Sequence, residues 1–122
     1  MSQSDNSVFA IYREGSFGFE EVSQTLEMMP NRVSVGGEKR SNTVWKLFIP
    51  DSALNLEDQL RSWINLFEYK ADKLLELKKS GWTIDIDCLI QPENGAAIAC
   101  FDPELLCQLS NLHVNLIIRV WE

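Results

Sequence analysis

Residues 55–81 read NLEDQLRSWINLFEYKADKLLELKKSG, and this is the longest stretch of the chain whose apolar residues keep a helical period. Asn55 is a favourable N-cap, and Gly81 suits the position just beyond the C-terminal end of a helix. The pattern predicts one amphipathic helix over residues 55–80 whose apolar side lies on the core. That apolar side consists of Leu56, Leu60, Trp63, Ile64, Phe67, Ala71, Leu74 and Leu75.

The segments on either side of this helix predict a sheet. Alternating or β-branched runs indicate strands over residues 7–13, 32–35, 43–49, 82–90, 96–101 and 112–121. Shorter helices are predicted over residues 17–29 and from Asp102-Pro103-Glu104 to Asn111. The polar link between the second and third strands is either a hairpin turn or a loop. We therefore expect an α+β fold with a mostly antiparallel sheet of about six strands, in the chain order βαββαββαβ, with the helices on one face and the long helix central.

Strict alternation in residues 82–90 separates two faces of the predicted sheet. We expect Ile84, Ile86, Cys88 and Ile90 to point to the helices. A hairpin with residues 96–101 would also turn Cys100 inward. The outward group then comprises Asp85, Asp87, Leu89, Ile117 and Trp121. For the core, we expect Leu60, Trp63, Phe67 and Leu74 to be nearly inaccessible and to pack against Ile84, Ile86, Ile98, Val114, Leu116 and Ile118.

Length and composition bound the class of protein. The chain has 122 residues, 45% of them hydrophobic and 24% charged, which predicts a single folded domain over residues 1–122. No basic region followed by an apolar run occurs near the N-terminus, and no apolar run is long enough for a membrane span. Three cysteines without a secretion signal fit reduced thiols, so we expect a cytoplasmic protein with no disulfide.

The charge distribution points to a basic partner. The net charge of −7 disfavours binding to nucleic acid or to an anionic membrane. From Gly81 to Ile118 there are acidic residues but no Lys or Arg. We expect this acidic bias, with a large aromatic group, to form a surface for a protein partner, although an acidic surface also serves solubility alone. The candidate partner-binding residues are Asp85, Asp87, Glu93, Asp102, Glu104 and Trp121.

Patterns for catalysis or cofactors are weak. His113 is the only histidine and is predicted on the face opposite Cys88 and Cys100, which disfavours a Cys–His dyad. No CxxC pair supports a zinc site, and Gly36-Gly37-Glu38-Lys39 lacks the spacing of a phosphate-binding loop. We therefore expect no catalytic residue, no metal and no cofactor. The alternative is a small-ligand-binding domain or an enzyme that uses Asp85, Asp87 and His113.

Residues 77–121, LKKSGWTIDIDCLIQPENGAAIACFDPELLCQLSNLHVNLIIRVW, carry a family resemblance. A helix end, Gly with an aromatic residue, an alternating strand, a Pro-Glu-Leu-Leu helix start and a terminal strand resemble the bacterial family of uncharacterised domains numbered 4279. Pro30, Gly36 or Gly37, and Trp45 also stand where that family tends to place such residues. The resemblance implies an α+β fold, a bacterial source and no catalytic residues.

The resemblance also implies a function, because similar proteins sometimes occur beside polymorphic toxin genes, as in contact-dependent inhibition, where they are interpreted as immunity proteins. We therefore expect a small acidic immunity protein that neutralises a cognate toxin, for example a nuclease with a basic site, by occluding the toxin's active site. A homo-oligomer that pairs through Ile117 and Trp121 is a further alternative.

Overall fold

A computed structural model describes residues 5–15, 18–35, 42–48, 55–90 and 99–120. These residues form a five-stranded mixed sheet with a layer of helices on one face. The strands are β1 (Asn6–Glu14), β2 (Arg32–Ser34), β3 (Asn42–Phe48), β4 (Thr83–Ile90) and β5 (Asn115–Val120). The helices are α1 (Glu20–Leu26), α2 (Leu56–Phe67), α3 (Ala71–Lys79) and α4 (Pro103–Asn111). The predicted α+β class is confirmed.

Strand β1 lies in the middle of the sheet, whose order is β2-β3-β1-β4-β5. It pairs antiparallel with both β3 and β4. The last pair, β4 with β5, is parallel, because the chain returns to the same end of the sheet through α4. The sheet is thus mostly antiparallel, as expected, although the described residues form five strands where about six were expected and include one parallel pair. Of the predicted strand over residues 96–101, residues 99–101 are irregular, and residues 96–98 lie outside the described part of the chain.

The predicted helix over residues 55–80 is two helices. The Asn55 side chain accepts a hydrogen bond from the Asp58 N–H at 2.8 Å and begins α2 as predicted. A 3₁₀ turn at Glu68–Lys70 then separates α2 from α3. Such a turn rotates the chain by about 120° per residue instead of about 100°, so the sequence period is lost there. As a result α3 buries Leu74 and Leu77, whereas Leu75 is only half-buried.

The core lies between the helices and the inward face of the sheet. The predicted helix residues Leu60, Trp63, Phe67 and Leu74 are all buried there. Among their predicted sheet partners, Ile84 and Ile86 are buried, Val114 and Leu116 are partly buried, and Ile98 lies outside the described residues. Ile118 is wrong as a core residue because it is 42% exposed on the edge strand β5.

Indole hydrogen bonds tie helices to their surroundings. The Trp63 Nε1–H donates to Ser7 Oγ at 2.9 Å, and this hydroxyl donates to Gln59 Oε1 at 2.7 Å, all three residues being buried. The Trp45 Nε1–H donates to Ser23 Oγ of α1 at 3.0 Å. Because buried polar groups cost free energy when unpaired, these bonds fix the position of α1 and α2 on the sheet.

The cysteines divide between core and surface. Cys88 is fully buried on β4, as predicted, whereas Cys100 and Cys107 are exposed. The prediction for Cys100 is wrong because residues 99–101 do not continue a strand beside β4. None of the helices within the described residues is both long and apolar enough to cross a membrane.

Candidate partner-binding surface

The sheet face opposite the helices, hereafter the open face, carries the first group of predicted site residues. Partners directly opposite each other on neighbouring strands share a face, so Lys46, Ala10, Asp85 and Asn115 form one row across β3, β1, β4 and β5. Asp87 and Ile117 are likewise opposite each other. The predicted placement of Asp85, Asp87, Leu89 and Ile117 on one face is confirmed.

Asp85 does not project into solvent, and that prediction is wrong. Asp85 is only 5% exposed, and its Oδ1 accepts a hydrogen bond from Asn115 Nδ2 at 2.9 Å. Partial burial, and then the hydrogen bond and charge of Asp85, raise the pKa of Tyr12 above its ordinary value. The Asp85 carboxylate is thus engaged by neighbours on β1 and β5.

Asp87 is neutralised on the same face. The Arg119 Nε–H donates to Asp87 Oδ1 at 3.0 Å and to Oδ2 at 3.2 Å. The Asp87 side chain is 35% exposed and the Arg119 side chain is 63% exposed. An exposed ion pair of this kind stabilises a fold by about 0–1 kcal/mol, and it also lowers the charge that Asp87 offers to a partner.

His113 lies in the turn after α4 and does not join these carboxylates through a hydrogen bond or an ion pair. Its backbone N–H donates to Ser110 O at 3.1 Å, and its φ is 63°, in the left-handed region. Alternation along a strand therefore does not set the direction of its side chain. Residues Asp85, Asp87 and His113 do not form a hydrogen-bonded catalytic constellation in the part of the chain that the structure describes.

A second acidic surface lies in the helix layer, where the first turns of α2 and α4 come together. Arg61 Nη2 of α2 contacts Asp102 Oδ2 at 3.1 Å, and Glu57 Oε1 accepts a hydrogen bond from the Cys100 N–H at 3.1 Å. We call this surface the helix-end patch; it comprises Glu57, Asp58, Arg61, Asp102 and Glu104. It holds four carboxylates and one guanidinium, and Glu57 is its only half-buried member, the others being exposed.

Asp102 has two roles in this patch. Its Oδ1 accepts a hydrogen bond from the Leu105 N–H at 2.8 Å and caps α4, as the sequence predicts. That backbone bond first, and then Arg61, hold the pKa of Asp102 below its usual range. A carboxyl with a lowered folded-state pKa contributes stability above its unfolded pKa, and that contribution is lost as the pH falls through the folded value.

Sequence reasoning missed three of the five residues of the helix-end patch. Asp102 and Glu104 were candidates, whereas Glu57, Asp58 and Arg61 belong to the first turns of a helix predicted as the backing of the core. The signal was present, since both helices begin with an N-cap followed by acidic residues. Their proximity depends on tertiary packing. Glu93 and Trp121 lie outside the described residues.

Metal-binding chemistry has no cluster to support it in the described ranges, where groups of three or more His, Cys, Asp or Glu side chains do not converge on a common point. The features that do stand out in those ranges are two polar surfaces, one on each side of the sheet.

The architecture is that of an α+β protein with a single helix layer on a mixed sheet. The chain belongs to the family described as "Domain of unknown function (DUF4279)", whose model matches residues 4–121, so the predicted resemblance is confirmed. No curated protein and no solved structure matches the chain.

Proposed function

We propose that this protein is a small binding protein of the cytoplasm, specifically an immunity protein that neutralises a cognate toxin by covering the toxin's active site. The observation that supports the proposal best is the helix-end patch, in which Arg61 pairs with Asp102 while Asp58 and Glu104 are exposed in the first turns of the same two helices. A nuclease toxin must bind phosphate and therefore presents a basic site. Exposed carboxylates complement such a site and speed the encounter with it.

The helix-end patch suits this role better than the open face. Asp85 is buried and hydrogen-bonded, and Asp87 is paired with Arg119, so that face offers less free negative charge than its sequence suggests. Leu106, which is 47% exposed on α4 and lies one helical turn after Asp102, adds an apolar group beside the patch. A contact surface with an apolar centre and a polar rim is typical of protein interfaces.

The geometry also weighs against the enzyme alternative. A general base needs a carboxylate that is free to accept a proton from substrate. Asp85 is buried and already accepts a hydrogen bond from Asn115, and Asp87 already accepts two from Arg119.

A genetic experiment tests the proposed function. The gene for this chain is deleted in its host, with and without inactivation of the neighbouring gene. If the neighbour encodes the toxin, the single deletion should stop growth and the double deletion should grow. Normal growth after the single deletion, together with no binding between the two purified proteins, would overturn the proposal.

Matched variants then test the surface. Asp102→Asn with Glu104→Gln removes two charges from the helix-end patch and keeps the cap on α4, because Asn caps helices as well as Asp. Exposed charge pairs contribute roughly 0.2–1 kcal/mol each, so affinity for the neighbour's product should fall about two- to thirtyfold at low salt. The control, Glu68→Gln with Glu76→Gln, removes the same charge elsewhere and should change affinity little. Equal losses in both variants would exclude the patch as the contact surface.

A further inference from the structure

A groove on the open face lies over β2 and β3, away from the helix-end patch. It has a volume of about 390 Å³ and is lined by Arg32, Val33, Ser34, Val44 and Lys46. Arg32 is directly opposite Lys46, and Ser34 is directly opposite Val44. Lys46 is in turn opposite Ala10 in the row that contains Asp85. The side chains of Arg32, Ser34, Val44 and Lys46 therefore lie on the face that the helices leave uncovered.

The two cations of the groove form an unfavourable pair. Like charges directly opposite each other on antiparallel strands destabilise the pairing. Within the described residues, neither Arg32 nor Lys46 makes an ion pair with a carboxylate, unlike Arg61, Lys73 and Arg119. The Arg32 guanidinium instead lies 5.9 Å from the centre of the Phe48 ring. Two adjacent cations are thus held together in a chain whose net charge is −7.

We propose that this groove binds an oxyanion, either a carboxylate or a phosphate group. The Arg32 guanidinium offers parallel N–H donors to two oxygens, and the Lys46 ammonium supplies a compact second charge. The Ser34 hydroxyl is a neutral donor at the same groove. An anion between the cations would remove their repulsion, so binding and strand pairing favour each other. This site is separate from the proposed toxin contact, which lies in the helix layer.

A titration followed by two-dimensional NMR tests the site directly. Sodium phosphate and sodium acetate are added separately at constant ionic strength, and the backbone amides of Arg32–Ser34 and of residues 44–46 are observed. We expect the amide shifts to saturate with at least one anion. The affinity derived from them should be at least tenfold weaker in Arg32→Gln and in Lys46→Gln. Saturation by phosphate alone assigns a phosphate ligand, and saturation by acetate identifies a carboxylate site.

The control variant is Lys78→Gln, which removes one positive charge from the exposed end of α3. It should leave the saturation curve unchanged. Shifts that never saturate with either anion, or an equal weakening in Lys78→Gln, would show only diffuse attraction and would overturn the proposal.

Thermal unfolding separates binding from a purely structural role. Without anion, Lys46→Gln should melt no lower than the unaltered protein, because the substitution relieves repulsion. Added anion should raise the Tm of the unaltered protein and of Lys78→Gln but not that of Lys46→Gln. If Lys46→Gln melts well below the unaltered protein in the absence of anion, the cation is structural and the proposal fails.

Discussion

The aromatic rings of Phe9 and Phe67 stack in the core, with centroids 4.1 Å apart and planes inclined by 13°. Both residues are completely inaccessible. Phe9 belongs to the central strand β1, and Phe67 is the last residue of α2. Because Trp63 also contacts Phe9, with ring centroids 5.5 Å apart, these three rings join the sheet to the helix layer.

Truncation of one ring should leave a cavity at this junction. We expect Phe67→Ala to lower the free energy of unfolding by about 3–5 kcal/mol, a large share of the usual 5–15. Urea denaturation measures this change. Tyr69→Ala is the control, since Tyr69 is 93% exposed and the change should be within about 0.5 kcal/mol. An unchanged free energy of unfolding in Phe67→Ala would contradict the stacked core.

The three thiols should differ in reactivity. Burial first, and then the charges of Asp87 and Asp5, raise the pKa of Cys88 to about 12, so its reactive thiolate is scarce at neutral pH. Cys100 and Cys107 are exposed. A colorimetric thiol reagent should therefore titrate two groups quickly in the native protein and the third only after unfolding. Cys88→Ala should retain both fast groups, and three equally fast thiols would refute the buried position of Cys88.

The ionisation of Tyr12 should report its contact with Asp85. The chain has two tyrosines, so Tyr69→Phe leaves Tyr12 as the only one. We expect tyrosinate absorbance to appear with a pKa above 10.0. Asp85→Asn should lower this pKa, because the negative charge is removed. A titration that is identical with and without Asp85→Asn would exclude the contact.

The same shift predicts a loss of stability in alkali. Because the folded-state pKa of Tyr12 lies above the unfolded value, its contribution to stability is complete below about pH 10 and is lost as the pH rises through the folded value. Denaturation at a series of pH values gives the free energy of unfolding of the unaltered protein and of Tyr12→Phe. The difference between the two free energies should stay constant up to about pH 10 and change only at more alkaline pH.

Glu27 ends α1 in a conformation that favours glycine. Its φ is 55° and its ψ is 43°, whereas side chains with a Cβ disfavour the left-handed region by roughly 1–2 kcal/mol. Glu27→Gly should raise the free energy of unfolding by about 0.5–1 kcal/mol after the greater flexibility of glycine in the unfolded chain is deducted. Chemical denaturation measures the change. The control is Gln24→Gly, within α1, which should lower the free energy of unfolding by about 0.5–1 kcal/mol. Destabilisation in both variants would argue against the cap geometry.

The alternation of residues along β4 predicted correctly on which face of the sheet each side chain lies, but it did not predict how exposed that side chain is. Alternation correctly separated Asp85 from Ile84 and Ile86, because side chains on a strand point to opposite faces regardless of the neighbouring strands. Burial depends on those neighbours. Tyr12 comes from a strand more than seventy residues away in the chain, and its contact with Asp85 follows from the register of β1 with β4.

The position of β5 in the sheet is the second feature that the sequence did not predict. Ile118 has the inward parity that the sequence predicts, yet it is exposed because β5 is an edge strand. Sequence alone did not place β5 in the sheet. The helix α4 between β4 and β5 was recognised and, taken by itself, indicates a parallel pair. An additional predicted strand over residues 96–101 obscured that indication.

Because β1 lies in the middle of the sheet, it is synthesised before both of its neighbours and completes its pairing only after β4 is made. During synthesis β1 leaves the ribosome before either neighbour, and every residue pair that it forms with β4 is separated by more than seventy positions. In the nascent protein the apolar side chains of Phe9 and Ile11 therefore remain incompletely buried until β4 emerges. Closing such a long loop is entropically slow, so assembly of the sheet awaits the later half of translation.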